Sequence, residues 1–344
     1  MAMNSNILSV FQKEFKDEAM LTRISEDLRG KVIVLYGKNN VGKTLQSSHF
    51  PNPVFLPCEK GMNAINGALV LKTTSWNDLK KNGRKLASKK FTKLLQEGEQ
   101  ITVVVDGIER IGNYAKAYLC SKHDVSTIGE ARNGYGAWEE YENLVWSWVD
   151  GIISLGYTVV FIGHEDYDKK IEQMVIKGDE RVIKPIRDNA DVVAYLKSNG
   201  IAEDTKEPIH SSAYLAETED FFARTRFSYM DTYIEDFTAE NLTEVIIEGI
   251  KKQNQAEGFD SVSFEEQQKI YKDDEELSLD DLKEELKEYY EQFDENDRLE
   301  EFADIVQEHL GETKISEATE KQIELLKCIK DDIEALLEED EEEE

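Results

Sequence analysis

An α/β chain with a mainly parallel sheet, followed by a small acidic all-helical segment, is what this 344-residue sequence predicts. Three observations carry that expectation. Short apolar runs alternate with longer helical patterns as far as residue 256, and strands separated by crossovers of this length build parallel sheets. One of the runs leads directly into a glycine-rich loop and then a helical pattern. Beyond Gly258 the strands stop and the charge changes abruptly.

Taken in order, strands are expected at 32–36, 54–57, 68–71, 101–106, 158–163 and 191–196. Helical stretches lie between them, among them 44–50, 79–95 and 138–155. Segments 212–217 and 221–229 suit an antiparallel edge pair, and 237–252 a closing helix. Past Gly258, apolar residues three and four apart mark helices at 277–293, 298–310 and 316–337. The expected domains are therefore a core at 1–256, a helical segment at 257–337, and a disordered tail at 338–344 made of seven consecutive acids.

Charge supports the same division. Residues 1–256 hold 32 Lys and Arg against 37 Asp and Glu, a net of −5. Residues 257–344 hold 9 against 35, a net of −26. The acidity thus belongs to the C-terminal quarter, and the near-neutral core can still carry a basic groove. No run approaches the ~18 apolar residues of a membrane span. The first residues show no basic region leading into an apolar one, so no secretion signal is expected. Cys58, Cys120 and Cys328 are far apart and odd in number, which excludes a disulfide framework or a cysteine metal site and fits a reducing cytoplasm.

The chemistry concentrates in Gly37, Lys38, Asn39, Asn40, Val41, Gly42, Lys43 and Thr44, which match G-x-x-x-x-G-K-[ST] between an apolar strand and a helix. Glycines let backbone N–H groups curl round phosphate oxygens. Lys43 adds a charge at the β- and γ-phosphates, and the Thr44 hydroxyl is a ligand for Mg²⁺. The strand at 101–106 ends in Asp106, placed to hold that ion or its water. Two acids compete as the base that activates water: Glu59, after the strand at 54–57, and Glu109, three residues past Asp106. A structural role is open to each, as a turn acid for Glu59 and as a helix-start acid for Glu109. His164 ends the strand at 158–163, where ligands of parallel sheets collect. Arg224 and Arg226 alternate and face one side, within reach of a phosphate in this or a neighbouring subunit, or of surface acids. Lys80, Lys81, Arg84, Lys85, Lys89, Lys90 and Lys93 form a basic helical stretch, either a phosphate-tracking face or a solvated one. Segments 129–137 and 165–184 follow central strands and suit mobile loops. Arg132, Tyr135, Lys169, Lys170 and Lys177 would supply charge and a stacking ring for single-stranded nucleic acid.

These residues resemble phage-encoded RecA-core ATPases, a family linked to single-strand annealing and recombination and often described as AAA-family ATP-binding proteins. The resemblance runs through GKNNVGKT at 37–44, FPNPVFLPCEKG at 50–61, TTSWNDL at 73–79, ITVVVDGIERI at 101–111, VVFIGHED at 159–166 and RTRFSYMDTYIEDFTAENL at 224–242. It implies a RecA-type P-loop core, Glu59 rather than Glu109 as the base, and His164 as a γ-phosphate sensor. It also implies ATP and Mg²⁺ bound at the interface of a homo-oligomer, and single-stranded DNA as partner. Cys58 departs from the family, standing where an acid is common, and no DNA-contact loop is recognisable. SEATEKQIELLKCI at 316–329 is similar to helical segments at the ends of phage recombination and single-strand-binding proteins. The acidic end resembles single-strand-binding-protein tails, so such a protein or a recombination nuclease is an expected partner. The expected activity is ATP-dependent single-stranded DNA binding or annealing in phage DNA metabolism, in the host cytoplasm and away from membranes. The alternative is a non-catalytic, ATP-dependent scaffold or loader for a nuclease or helicase. A P-loop kinase would need a lid with several arginines, which the sequence lacks.

Overall fold

A computed structural model describes residues 5–15, 19–271, 278–296 and 298–343, and the chain divides into two compact units, Met1–Ile270 and Tyr271–Glu344. The first unit begins with helix α1 (Ser5–Glu14) and strand β1 (Val32–Gly37). Helix α2 (Lys43–Ser47), strands β2 (Pro53–Pro57) and β3 (Leu69–Val70), and helices α3 (Trp76–Leu86) and α4 (Lys89–Gln96) follow. Then come β4 (Thr102–Asp106), α5 (Ile108–Lys122), α6 (Trp138–Ile153), β5 (Thr158–Asp168), β6 (Gln173–Ile176) and α7 (Glu180–Asn189). The unit closes with β7 (Val192–Lys197), β8 (Ser212–Tyr214), β9 (Arg224–Thr225), β10 (Tyr233–Ile234), α8 (Ala239–Glu257) and the short α9 (Phe264–Gln267).

The sheet runs β10-β8-β7-β1-β5-β4-β2-β3, with β6 added to β5 and β9 to β7. Its centre, from β7 to β3, is parallel. All six residues of β1 are buried, as expected of a strand covered on both faces. Strand pleating sends Val32, Val34 and Tyr36 into one core with Leu79, Ile111, Tyr141, Val145 and Ile186. Ile33 and Leu35 enter a second core with Leu28, Phe50, Leu242, Ile246 and Ile250. Helices α3, α5, α6 and α7 therefore cover one face and α8 the other, an α/β sandwich of the expected class.

Several elements differ from the sequence expectation. The basic stretch at 79–95 breaks at Ala87 and Ser88, since Ala87 closes α3 through its N–H to Gly83 O and Ser88 precedes α4. Segment 165–184 is an ordered antiparallel hairpin, Glu165 opposite Ile176 through Asp168 opposite Gln173, followed by the start of α7. Its solvent-facing acids mask the strand alternation. Segments 212–217 and 221–229 do not pair with each other: β8 and β9 each pair antiparallel with β7, and β10 pairs with β8. The helix start that Glu109 suggests is the first turn of α5, where Ile108, Ile111, Ala115 and Leu119 bury at helical spacing.

The first unit also continues beyond residue 256. Phe264, 5% exposed, lies so close to Gly30 that a Cβ there would come within 2.3 Å of its ring. Arg29 sits over that ring at 5.6 Å and bonds Glu265 at 2.6 Å. The second unit packs α10 (Leu279–Glu295), α11 (Leu299–Leu310) and α12 (Ile323–Glu343) round Leu282, Leu286, Phe293, Phe302, Leu326, Ile329 and Ile333. Ser278 and Asp281 form a capping box at its first helix. Where the sequence predicts a disordered tail, α12 runs on through Glu343. Glutamate has good helix propensity, and extending an existing helix adds a hydrogen bond for each residue fixed. Residue 344 and part of the predicted 277–293 helix start lie outside the described residues.

Because Phe264 seals the bottom of the first unit, Phe264→Ala is expected to cost about 3–5 kcal/mol. Chemical denaturation of the full chain measures it. A loss under about 1 kcal/mol would mean residues 258–270 are not part of the core.

Candidate functional site

The glycine-rich loop leaves the carboxyl end of β1 and enters α2. Gly37 has φ +151°, and a Cβ there would lie 2.4 Å from Leu196 O, so only glycine lets the chain turn here beside β7. Val41 is buried in the second core and anchors the loop, while Lys38, Asn39 and Asn40 are exposed. Asn40 and Gly42 take left-handed φ values of 61° and 86°. Lys43 is 6% exposed and folds back inside the loop, donating from Nζ to Gly37 O at 2.9 Å and Lys38 O at 2.6 Å. Burial pushes its pKa down to about 8, although Asp106, Glu109, Glu165 and Glu59 all pull upward. A buried ammonium satisfied by loop carbonyls is an anion site in chemical terms, since a phosphate would restore the charge partner that burial removes.

Asp106 ends β4, where it is 5% exposed. The Thr44 hydroxyl donates to its Oδ2 at 3.4 Å. Burial, then the Glu59 charge, push the Asp106 carboxyl up to about 6. A hydroxyl and a carboxylate are hard oxygen donors of the kind Mg²⁺ takes, and a cation there would relieve the buried negative charge. Gly61 leaves no room to spare, for a Cβ would stand 2.9 Å from Asp106 Oδ2. Thr44 and Asp106 thus fit a magnesium ion, and the loop residues fit a polyphosphate.

Glu59 and Glu109 converge on His164 from two different elements. Register does this: Gly37 is level with His164 across β1 and β5, and Asp106 is level with Ile162 across β4 and β5. His164 Nε2 lies 3.4 Å from Glu59 Oε2 and 3.8 Å from Glu109 Oε1. The three ligand atoms lie within 4.8 Å of one another. Glu109 Oε2 is buried with no hydrogen-bond partner, and burial raises the pKa of this carboxyl. Gly107 permits the approach, since a Cβ there would lie 2.5 Å from Glu59 Cγ. These groups, with Gly37, Lys38 and Asn39, line a cleft of about 910 Å³ that also takes in Arg110, Asn113, Lys116 and Lys177. The sequence reading does not single out Arg110, Asn113 and Lys116, which α5 carries into the cleft. Their spacing of three along a helix was the available signal.

Two other groups stand apart. Arg224 and Arg226 donate to Asp188 O at 3.1 and 3.2 Å, closing the end of α7. Strand β9 pairs with Val192 and Val193, whereas Gly37 is level with Leu196. Arg224 is level with Val193 and Arg226 bonds Asp191 O, three and five residues from that level, which at ~3.3 Å per residue is about 10 and 17 Å along β7, so in their own chain both arginines close α7 rather than the loop. The cations of α3 and α4 are exposed and line no part of the cleft. Tyr195 donates from its hydroxyl to Glu165 Oε2 at 2.9 Å, and Tyr36 donates to Met174 O at 3.2 Å and to Phe222 O. Tyr36 ties the β5–β6 hairpin to β1, the strand that carries the loop, and Tyr195 ties it to the neighbouring β7, links no sequence motif announces.

A parallel sheet with a phosphate-binding loop at the carboxyl end of a central strand, an acid ending a nearby strand and a helix leaving the loop is a P-loop NTPase core. Residues 29–227, more than half of the chain, match the family described as AAA domain. The SPbeta prophage-derived uncharacterized protein YorG of Bacillus subtilis (strain 168) is 44% identical over 317 residues, which cover 91% of this chain and 96% of that protein. The chain belongs to the AAA-domain family of P-loop ATPases. No helix among the described residues is long and apolar enough to cross a membrane.

The surroundings of Asp106 oppose its ionisation in the folded chain. Its folded pKa, about 6, lies above the ordinary 3.8, so the folded state holds the proton more tightly than the unfolded state does. That contribution is full below about pH 4 and is lost as pH rises through about 6. Asp106→Asn, which cannot ionise, is expected to stabilise the ligand-free chain by on the order of 2 kcal/mol at neutral pH and to give no gain near pH 4. Thermal melts across that range measure it, and an equal effect at both ends would mean the charge is not the cause.

Proposed function

We propose that this chain binds ATP with Mg²⁺, hydrolyses it by a RecA-type arrangement, and couples that cycle to single-stranded DNA in phage DNA metabolism. The observation that carries the reading is the convergence of Lys43, Asp106 and the Glu59–His164 pair at the carboxyl ends of neighbouring parallel strands. In this reading the backbone of residues 37–44 and Lys43 hold the β- and γ-phosphates. Thr44 and Asp106 hold Mg²⁺, which when bound neutralises phosphate charge. Glu59 takes the proton of the attacking water, and His164 reads the γ-phosphate. The RecA-type assignment is supported by β5 lying between the loop strand β1 and the acid-bearing β4.

The DNA part is supported by the continuity of β5, which carries His164 and then becomes the hairpin whose tip bears Lys169, Lys170 and a 56%-exposed Ile171. Beyond a separate turn, Tyr135 is 88% exposed near Arg132, suited to stacking on a base. A phage setting is supported by the prophage origin of the relative. ATP at an interface between copies fits arginines at 224 and 226, which in their own chain close α7 rather than the loop. A non-catalytic scaffold or loader would bind the same nucleotide without turning it over.

Lys43→Ala is expected to weaken ATP binding by about 10-fold or more in calorimetry, the worth of a charge-assisted contact. Unchanged affinity would remove the nucleotide assignment. Glu59→Gln is expected to keep ATP binding and lower turnover by roughly 10²–10⁴, because an amide takes no proton from water. Glu109→Gln is the comparison, and the opposite ranking of the two variants in phosphate release would make Glu109 the base. Phosphate release by the native chain is expected to rise when single-stranded DNA is added. A slow rate indifferent to DNA would favour the scaffold.

A further inference from the structure

We propose that the folded chain carries two sites of self-modification, Asn66 and Asn133, which lose ammonia and become acidic, while the same dipeptide is protected at Asn82 and Asn199. The chain holds four Asn-Gly pairs, at 66–67, 82–83, 133–134 and 199–200. Asparagine is thermolabile in this setting for a defined chemical reason. The main-chain nitrogen of the next residue attacks the side-chain carbonyl carbon, a carbon–nitrogen bond forms, and the amide nitrogen leaves as ammonia. Water then opens the five-membered imide to aspartate or isoaspartate, so the net change is water in and ammonia out. Glycine speeds the attack, because it has no Cβ to crowd the nitrogen and reaches backbone angles closed to other residues. All four pairs are equal in that respect, and only the fold tells them apart. It does so through three conditions: an amide free to turn back on the chain, a glycine N–H free to react, and space for the ring.

Asn82 and Asn199 fail these conditions. Asn82 lies inside α3, 9% exposed, and its Nδ2 donates to Lys72 O at 3.2 Å and to Thr73 Oγ1 at 3.3 Å. Gly83 has no room beside it, for a Cβ would come within 2.7 Å of Trp148 Nε1. Asn199 is the informative case, because it is exposed. Its Nδ2 nevertheless donates to His210 O at 2.7 Å and to Ser212 Oγ at 2.9 Å, and its Oδ1 accepts from Ser212 Oγ at 3.1 Å. The Gly200 N–H is engaged by Ser198 Oγ at 3.2 Å. Exposure alone would group Asn199 with the reactive pair, and its hydrogen bonds remove it.

Asn66 and Asn133 meet the conditions. Both are exposed, and neither side chain has a hydrogen-bond partner among the described residues. Asn66 sits in the turn before β3, where Gly67 takes φ +76° and its N–H has no partner among the described residues. In the loop before α6, Asn133 has φ 59° and Gly134 φ 90°. The Gly134 N–H is split between Glu130 O at 3.3 Å and Ala131 O at 3.2 Å, both long for such a bond. Nothing lies within 4 Å of where a Cβ would stand on Gly67 or Gly134. At Asn133 the new carboxylate falls between Arg132 and Tyr135 in sequence, so a modified chain is less fitted to a phosphate backbone. That consequence rests on the proposed function, and the modification does not.

The test uses the full chain without nucleotide or DNA, so that failure of the ATPase reading has no bearing on it. The chain is kept warm in mildly alkaline buffer, sampled over time and digested, and mass spectrometry reads the exchange of amide for acid at each pair. A parallel sample in concentrated urea removes the fold and leaves the local sequence. In urea the four pairs are expected to react at similar rates. In the folded chain Asn82 and Asn199 are expected to react about tenfold or more slowly than Asn66 and Asn133, because groups held by structure react only through local opening. A folded chain in which Asn66 or Asn133 is slowed as much as Asn82 overturns the proposal. So does an Asn199 that keeps pace with Asn66, since exposure alone would then decide.

Discussion

The parallel register of β1 with β5, and of β5 with β4, is the constraint on which the site depends. Backbone hydrogen bonding sets Gly37 level with His164 and Asp106 level with Ile162. From those levels, the loop lysine, the strand-end acid and the histidine all emerge on one edge. A slip of one residue would turn every side chain of a strand to the opposite face. Val34 and Tyr36 would then trade cores with Ile33 and Leu35, so the packing of both layers holds the register that aligns the chemistry.

Within that frame the site works against stability. Lys43 and Asp106 are both buried, and burial shifts each toward its neutral form. Glu109 is shifted the same way and keeps one oxygen without a partner. A charged cluster held in this condition is relieved by ligands of matching charge, a polyphosphate at the lysine and a cation at the acid. The close glycines at 61 and 107 serve the same end, since each leaves the space into which a carboxylate side chain is pressed, Asp106 at the first and Glu59 at the second.

The hairpin β5–β6 gives the site a mechanical neighbour. It continues the strand that bears His164, and Tyr195 holds its first residue, Glu165, through a hydrogen bond. Tyr36, one residue before the loop, bonds the opposite arm at Met174. A change at the loop therefore meets the hairpin through two rigid aromatic contacts, and Tyr36 and Tyr195 also touch each other with ring centroids 5.2 Å apart. The acidic second unit has its own core, from Leu282 to Ile333, complete in itself.

The sequence by itself determined the class of fold, the glycine-rich loop, the acid at the end of β4 and the histidine at the end of β5. Each is encoded locally, by an apolar run of strand length followed by a residue type that marks its end. It also located the three C-terminal helices, whose apolar spacing is strong, but not the hairpin, whose outward acids hide its alternation, nor the extent of the core to residue 270. Phe264 reads as one more apolar residue until Gly30 and Arg29, more than two hundred positions away, are placed beside it. The sequence also offered Glu59 and Glu109 as alternatives, and only the tertiary structure brought both to one histidine. The physical reason is that Glu59 follows β2 and Glu109 begins α5. Their meeting is a property of strand order and of a glycine at 107 that lets them approach, and neither is written in the spacing of residues along the chain.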